Sequence, residues 1–223
     1  MKKIGLVLVV VLLSSLSAFG AVFTINNTGL GTAGNADSFW SITSPSAASA
    51  WIVTGSTGSY PFPAPGPWLA DNSTSKWIAP QATYVNTAPG TKDAMGLWVF
   101  TTTFDLTGLN PATAAIAGRW LADDQGANIT LNGHAFGLTT GLGQFTSWTT
   151  FNIGAGWFVA GSNTLSFTVN NAFPVGQANP DGLRVEFTSA TADTVVPEPA
   201  TFGLIGLGLL GLAAIRRHSR KSL

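Results

Sequence analysis

The chain has 223 residues with no cysteine and eight tryptophans, and its ten Lys plus Arg balance ten Asp plus Glu. The missing cysteine excludes thiolate metal sites, iron–sulfur clusters and cysteine nucleophiles. The balance of charge hides a segregation: six basic residues lie at the two ends, leaving Lys76, Lys92, Arg119 and Arg184 against nine acids between Asp37 and Asp193, about −5 net. That excludes a nucleic-acid partner, because phosphate binding needs a basic footprint.

Residues 1–20 read as a secretory signal helix. Lys2 and Lys3 form the positive start, residues 4–13 the apolar run, and Ala18-Phe19-Gly20 the small-residue cleavage site. Cleavage is expected after Gly20, with Ala21 as the next position. A retained anchor is the weaker reading, because the apolar run is short.

Strand signals then recur at close spacing. Residues 39–43 and 50–54 gather aromatic and β-branched side chains, and Trp77-Ile78-Ala79 stops at Pro80. Residues 56–67, rich in Ser, Gly and Pro, read as a long loop. Residues 97–106 place Trp98, Phe100, Thr102, Phe104 and Leu106 on one face with a period of two. Residues 114–122 alternate in the same way, and residues 127–131 follow a turn. Asn132-Gly133 predicts a hairpin, since both central positions of a type I′ turn need positive φ, with His134-Ala135-Phe136 as the returning strand. Residues 148–153, 164–169 and 183–188 complete about ten strands. The fold class expected is all-β, an antiparallel β-sandwich or jelly roll over 21–189, followed by a linker at 190–196.

Few residues nominate themselves for chemistry. Asp123-Asp124, with Asn128 and Asn132 close in sequence, could ligate Ca²⁺ through oxygen; a plain turn through Asp124-Gln125-Gly126 explains the same residues. Two adjacent carboxylates do not flank a glycosidic bond as a glycosidase pair does, and Asp105 and Glu186 read as strand residues. His134 is the one histidine between the two ends and reads as a hairpin residue. The reading is therefore of a protein that is not an enzyme. Trp98 and Trp120 read as core, whereas Trp68, in the Pro-rich region, is the tryptophan expected to be exposed and available for stacking on a sugar.

The C-terminal end is more specific. Val196-Pro197-Glu198-Pro199 precedes an apolar stretch, residues 200–215, and then Arg216-Arg217-His218-Ser219-Arg220-Lys221. A helix of that apolar length spans about 24 Å against a hydrocarbon core of about 30 Å, so it would be a weak single transmembrane helix. The basic cluster would hold the end in the cytoplasm. This three-part arrangement over 197–223 resembles the PEP-CTERM sorting signal. The resemblance implies that Pro197, Glu198 and Pro199 are recognised by an exosortase, with a membrane stage followed by the cell surface or extracellular matrix.

The second half of the domain resembles galactose-binding-domain-like jelly rolls. The matching pieces are Thr103-Phe104-Asp105-Leu106, residues 118–124, Ile129-Thr130-Leu131-Asn132-Gly133, residues 161–165 and Asp181-Gly182-Leu183-Arg184-Val185. It implies a sandwich of a kind often used to bind carbohydrate but transfers no ligand; the sorting signal and this resemblance together point to exopolysaccharide. Asp123-Asp124 also resembles the acidic pair of protective-antigen-type glycan-binding domains, which implies calcium beside a sugar. The alternative is a structural or adhesive surface protein with no glycan pocket.

Overall fold

A computed structural model describes residues 20–55, 58–64, 66–85, 93–172, 179–195 and 201–219. The signal helix and Pro197, Glu198 and Pro199 lie outside the described residues. Residues 20–194 form one compact unit.

Eleven strands build that unit: β1 Gly20–Val22, β2 Ala36–Ser44, β3 Ala48–Ile52, β4 Ile78–Ala79, β5 Gly96–Asp105, β6 Ala115–Asp123, β7 Gln125–Leu131, β8 His134–Ala135, β9 Thr149–Ile153, β10 Ser162–Asn171 and β11 Gly182–Asp193. All the paired strands are antiparallel, and the ladder runs β8-β7-β10-β5-β2-β3-β4-β11-β6-β9, with β1 added beside β11. The sheet curls so that its two halves face each other. Phe167 on β10 meets Trp120 on β6 and Phe151 on β9 at ring-centroid distances of 5.4 and 5.5 Å. The all-β sandwich expected from the period-two segments is therefore present; Phe100, Thr102 and Phe104 of β5 and Leu106 beyond its end are buried as the alternation selects, while Trp98, expected in the core, is half-buried and Thr101 on the opposite face is buried as well. Asn132 and Gly133 both take positive φ, 51° and 84°, as the hairpin requires.

Three local differences from the sequence reading have physical causes. Strand β11 runs on to Asp193, where residues 190–196 read as linker, because Ala190 and Ala192 are buried and Thr191 pairs with both Val22 and Ala115. Gly20, assigned to the signal, lies in β1 opposite Asp193. Asp124 is no tight turn: it is the single residue between β6 and β7, which belong to opposite halves of the curled sheet.

A second core lies outside the sandwich. Phe62, Trp68, Trp77, Tyr84 and Leu121 are buried together where the segment after β3 folds back over the outer face of β11 and β6. Trp68 stacks on Trp77 with centroids 4.2 Å apart and meets Phe62 edge-on at 6.0 Å. Only glycine permits this at position 182, since a Cβ there would sit 2.4 Å from the Trp68 ring.

The C-terminal helix α1, Thr201–Ser219, is a separate unit and includes Arg216 and Arg217. Among the described residues no helix is long and apolar enough to cross a membrane.

Candidate functional site

Four aspartates from three distant stretches of chain converge where β6 ends and β11 begins. Asp123 closes β6, Asp124 follows it through a cis peptide bond, Asp181 precedes β11, and Asp93 precedes β5. All four are less than a tenth exposed. The Trp68 indole N–H donates to Asp123 Oδ2 at 2.6 Å, and the Ala172 amide donates to Asp124 Oδ2 at 2.8 Å. Asp93 accepts from the Tyr84 hydroxyl at 2.5 Å, from Gln81 at 2.7 Å and from the Asp181 amide at 2.8 Å. Asn171 closes the edge, receiving the Asn179 amide and donating to the Ala94 carbonyl at 3.1 Å.

Asp181 differs from its neighbours. Its side chain is fully buried and neither carboxylate oxygen has a hydrogen-bond partner. Burial, followed by the negative charges of Asp93, Asp123 and Asp124, pushes its carboxyl well above the usual range. Burial also raises Asp123, against the pull of the Trp68 hydrogen bond, and raises Asp93 against those of Tyr84 and Gln81. Among the described residues no cationic side chain acts on these three groups. The effect reaches Tyr60, whose hydroxyl is pushed up to about 12 by burial and then by Asp123 and Asp124. A buried excess of negative charge must be met by protons or by a cation.

The donor set suits a hard cation. It is all oxygen, as Ca²⁺ prefers, and the orphaned Asp181 oxygens are free to ligate. The described His, Cys, Asp and Glu residues do not form a group of three or more arranged to hold a metal, so Asp181 with Asp123 or Asp124 would be the carboxylates holding it.

The other residues singled out in the sequence lie elsewhere. Asn128 Oδ1 accepts from the Ile129 and Gly137 amides, each at 2.9 Å, and Asn132, at the far end of β7, bonds Trp157, Asn163 and Thr164. Asn128 is engaged within β7 and Asn132 lies beyond its far end, so each is bonded to residues other than the aspartates. Trp68 is not the exposed ring that its Pro-rich surroundings suggest: it is 0% exposed, sealed between Trp77 and Gly182. The exposed tryptophans are Trp157, 48% exposed, and Trp51, 37% exposed. The Trp157 ring lies flat on the His134 imidazole, 3.4 Å between centroids and 6° between planes, so its orientation is fixed before any ligand arrives. Only the hairpin that sets His134 on β8 was readable in advance.

Asp105 and Glu186 are each committed to structure. Asp105 accepts from the Thr107 amide and hydroxyl at 2.9 and 2.8 Å. Glu186 receives Arg119 Nε at 2.8 Å, Ser75 at 2.8 Å and Asn72 at 3.0 Å. Burial alone would raise the Glu186 carboxyl, but these donors together hold it below the usual range. Beside it, the buried Arg184 donates to Ser75 Oγ and to the Ala70 carbonyl, both at 2.7 Å, and both arginines pack over the Trp148 ring.

The fold defines an antiparallel β-sandwich with a polar, cation-compatible cluster at one end. The chain carries a PEP-CTERM protein-sorting motif, whose family model matches residues 195–218. Arg216 and Arg217 fall inside that match. No curated protein matches the chain. Among solved structures, a family 35 carbohydrate binding module from an environmental isolate is 17% identical, covering 79% of this chain and 95% of its own, at a TM-score of 0.29. The CBM35 from Cellvibrio japonicus Abf62 is 17% identical over 81% of this chain and 100% of its own, at 0.28. The CBM36-1 domain of a multidomain xylanase from the hindgut metagenome of Trinervitermes trinervoides is 12% identical over 75% and 97%, at 0.26. Scores this low carry no argument about a ligand, and the sandwich stands on its own strand register.

Proposed function

We propose that this is an exported, exosortase-processed protein of the cell surface or extracellular matrix, whose sandwich holds exopolysaccharide without acting on it. The sorting motif supports the first half. Pro197, Glu198 and Pro199 are the recognition residues, and α1 with Arg216 and Arg217 is the segment held transiently in the membrane. The pairing of Gly20 with Asp193 brings the ends of the folded domain together.

The single observation that supports glycan holding is the exposed Trp157 ring, locked flat on His134. An aromatic face fixed in this way costs little further ordering when an apolar sugar face packs on it. A cation held by Asp181 with Asp123 or Asp124 would act differently from one that grips sugar hydroxyls. Its ligands are buried, so it would tie β6 to the start of β11 rather than meet a ligand.

Replacing Pro197, Glu198 and Pro199 with alanine is expected to leave a larger, membrane-retained species on fractionation. Normal processing and release of that variant would refute the sorting role. The processed protein is expected to co-sediment with exopolysaccharide extracted from its producer, and failure to do so would favour the purely structural or adhesive reading.

A further inference from the structure

The outer face of the β3-β2-β5-β10-β7 half carries a feature that the aspartate cluster and the sorting motif leave unused. Ser49, Ser41, Thr101, Ser166 and Thr130 stand directly opposite one another on five successive strands. At about 4.8 Å per strand, this hydroxyl row runs about 19 Å across the sheet. Thr103 and Thr164 form a second opposed pair two residues along, both exposed.

The central member of the row, Thr101, is 8% exposed and shares hydrogen bonds with a hydroxyl on the strand to either side. Thr43 Oγ1 and Thr101 Oγ1 lie 3.1 Å apart, and Thr101 Oγ1 and Ser166 Oγ 2.9 Å apart, with either atom of each pair able to donate. A hydroxyl chain of undetermined direction can reverse, so its outer members offer a donor or an acceptor as the ligand requires. Two exposed aromatic rings border it. Phe39, 48% exposed, shares the face of Ser41 two residues away, and Trp51 shares that of Ser49. Among the described residues, the one ionisable side chain on this face of β5 and β10 is Asp105, at the end of its strand.

We propose that this face is a second glycan-holding surface, separate from the Trp157 ring, and that its ligand is an uncharged polysaccharide lying across the strands. The inference rests on the reading above that the sandwich holds glycan, and adds a surface and a ligand class to it. Flat hydroxyl rows edged by aromatic rings match a pyranose chain, which presents hydroxyls at its rim and C–H groups on its faces. The described residues of β3, β2, β5, β10 and β7 include no Lys or Arg, so none of these strands offers a cation to a uronate. Each neutral hydrogen bond contributes little by itself, so a polymer that engages many at once is favoured over a single sugar.

The test is affinity electrophoresis of the processed protein, made from the full chain, in gels containing hydroxyethyl cellulose, galactomannan or alginate. Retardation is expected on a neutral polymer, unchanged between low and high salt, and absent on alginate. Ser41→Glu with Thr164→Glu, both at exposed positions, is expected to weaken binding at least tenfold while the melting temperature stays within a few degrees. Ser41→Ala with Thr164→Ala is expected to weaken it less, and guards against a folding artefact of the charged pair. Trp157→Ala is expected to leave binding on this face intact. Loss with Trp157→Ala and none with the face variants would overturn this site but keep the glycan reading. Preference for alginate with steep salt dependence would overturn the ligand class. No retention on these polymers, together with no co-sedimentation with the producer's own exopolysaccharide, would overturn both.

Discussion

The two outer faces of the curled sheet have opposite treatments. Over β11 and β6 the segment containing Trp68 and Trp77 folds back, burying an aromatic core and a network in which Arg184, Arg119 and Glu186 are paired. Over β2, β5 and β10 the face stays open, hydroxyl-lined and almost free of charge. The difference begins with small residues on the covered side. Gly182 lets an indole lie against β11, while the open side presents Thr and Ser at every outward position of β10 from Thr164 to Thr168. One face stabilises the domain and the other is available to a partner.

The comparison breaks most severely at Trp68. Trp68→Ala would remove a fully buried ring and take the indole donor from Asp123, and is expected to destabilise the processed protein by about 3–5 kcal/mol in urea unfolding. A loss under about 1 kcal/mol would mean that the covering segment is ornamental. Glu186→Ala comes next, taking from the buried Arg184 one of the two carboxylates that act on it and leaving Asp71, with a cost of about 2 kcal/mol. Should Glu186→Ala prove neutral, Asp71 with the Ser75 and Ala70 bonds would suffice for Arg184.

Much of this architecture was readable from the chain, and what was not has a common cause. β5, β6, β10 and the Asn132-Gly133 hairpin are local patterns, set by alternation and by the φ demands of a tight turn. The burial of Trp68 is not local. It depends on Gly182, more than a hundred residues away, and nothing in the Pro-rich stretch marks which strand will receive the ring. The aspartate cluster was half readable for the same reason. Asp123 and Asp124 are neighbours in sequence, whereas Asp181 lies far along the chain at the start of another strand-like piece and Asp93 carries no motif. Only the closure of the sheet brings the four together.

A smaller effect sharpens the role of that cluster. Asp93, Asp123 and Asp181 are raised above their unfolded values, chiefly by burial, and Asp71 is raised to about 6 by burial. Their contribution to stability is therefore complete below the ordinary carboxylate value near 4 and is lost as pH rises through the raised values. In chelator, the melting temperature is expected to fall from pH 4 through pH 6 and above. Added Ca²⁺ is expected to reverse the fall increasingly as the carboxylates ionise. Asp181→Asn is expected to flatten both responses, since it removes a buried group whose titration drives them. Identical melting with Ca²⁺ and with chelator at every pH would show that protons alone balance the cluster.

The least effect on stability is expected on the open face. Thr103→Val keeps the β-branched shape of an exposed strand residue and removes only a hydroxyl, so it is expected to change unfolding free energy by no more than about 0.5 kcal/mol. If the open face existed to stabilise the sheet, that hydroxyl would have a structural partner and its loss would register in urea. If it exists to meet a ligand, unfolding stays constant while retention on a neutral polymer weakens. A variant silent in one measurement and visible in the other separates the two faces most directly, because Trp68→Ala on the covered side is expected to fail in unfolding before binding can be read.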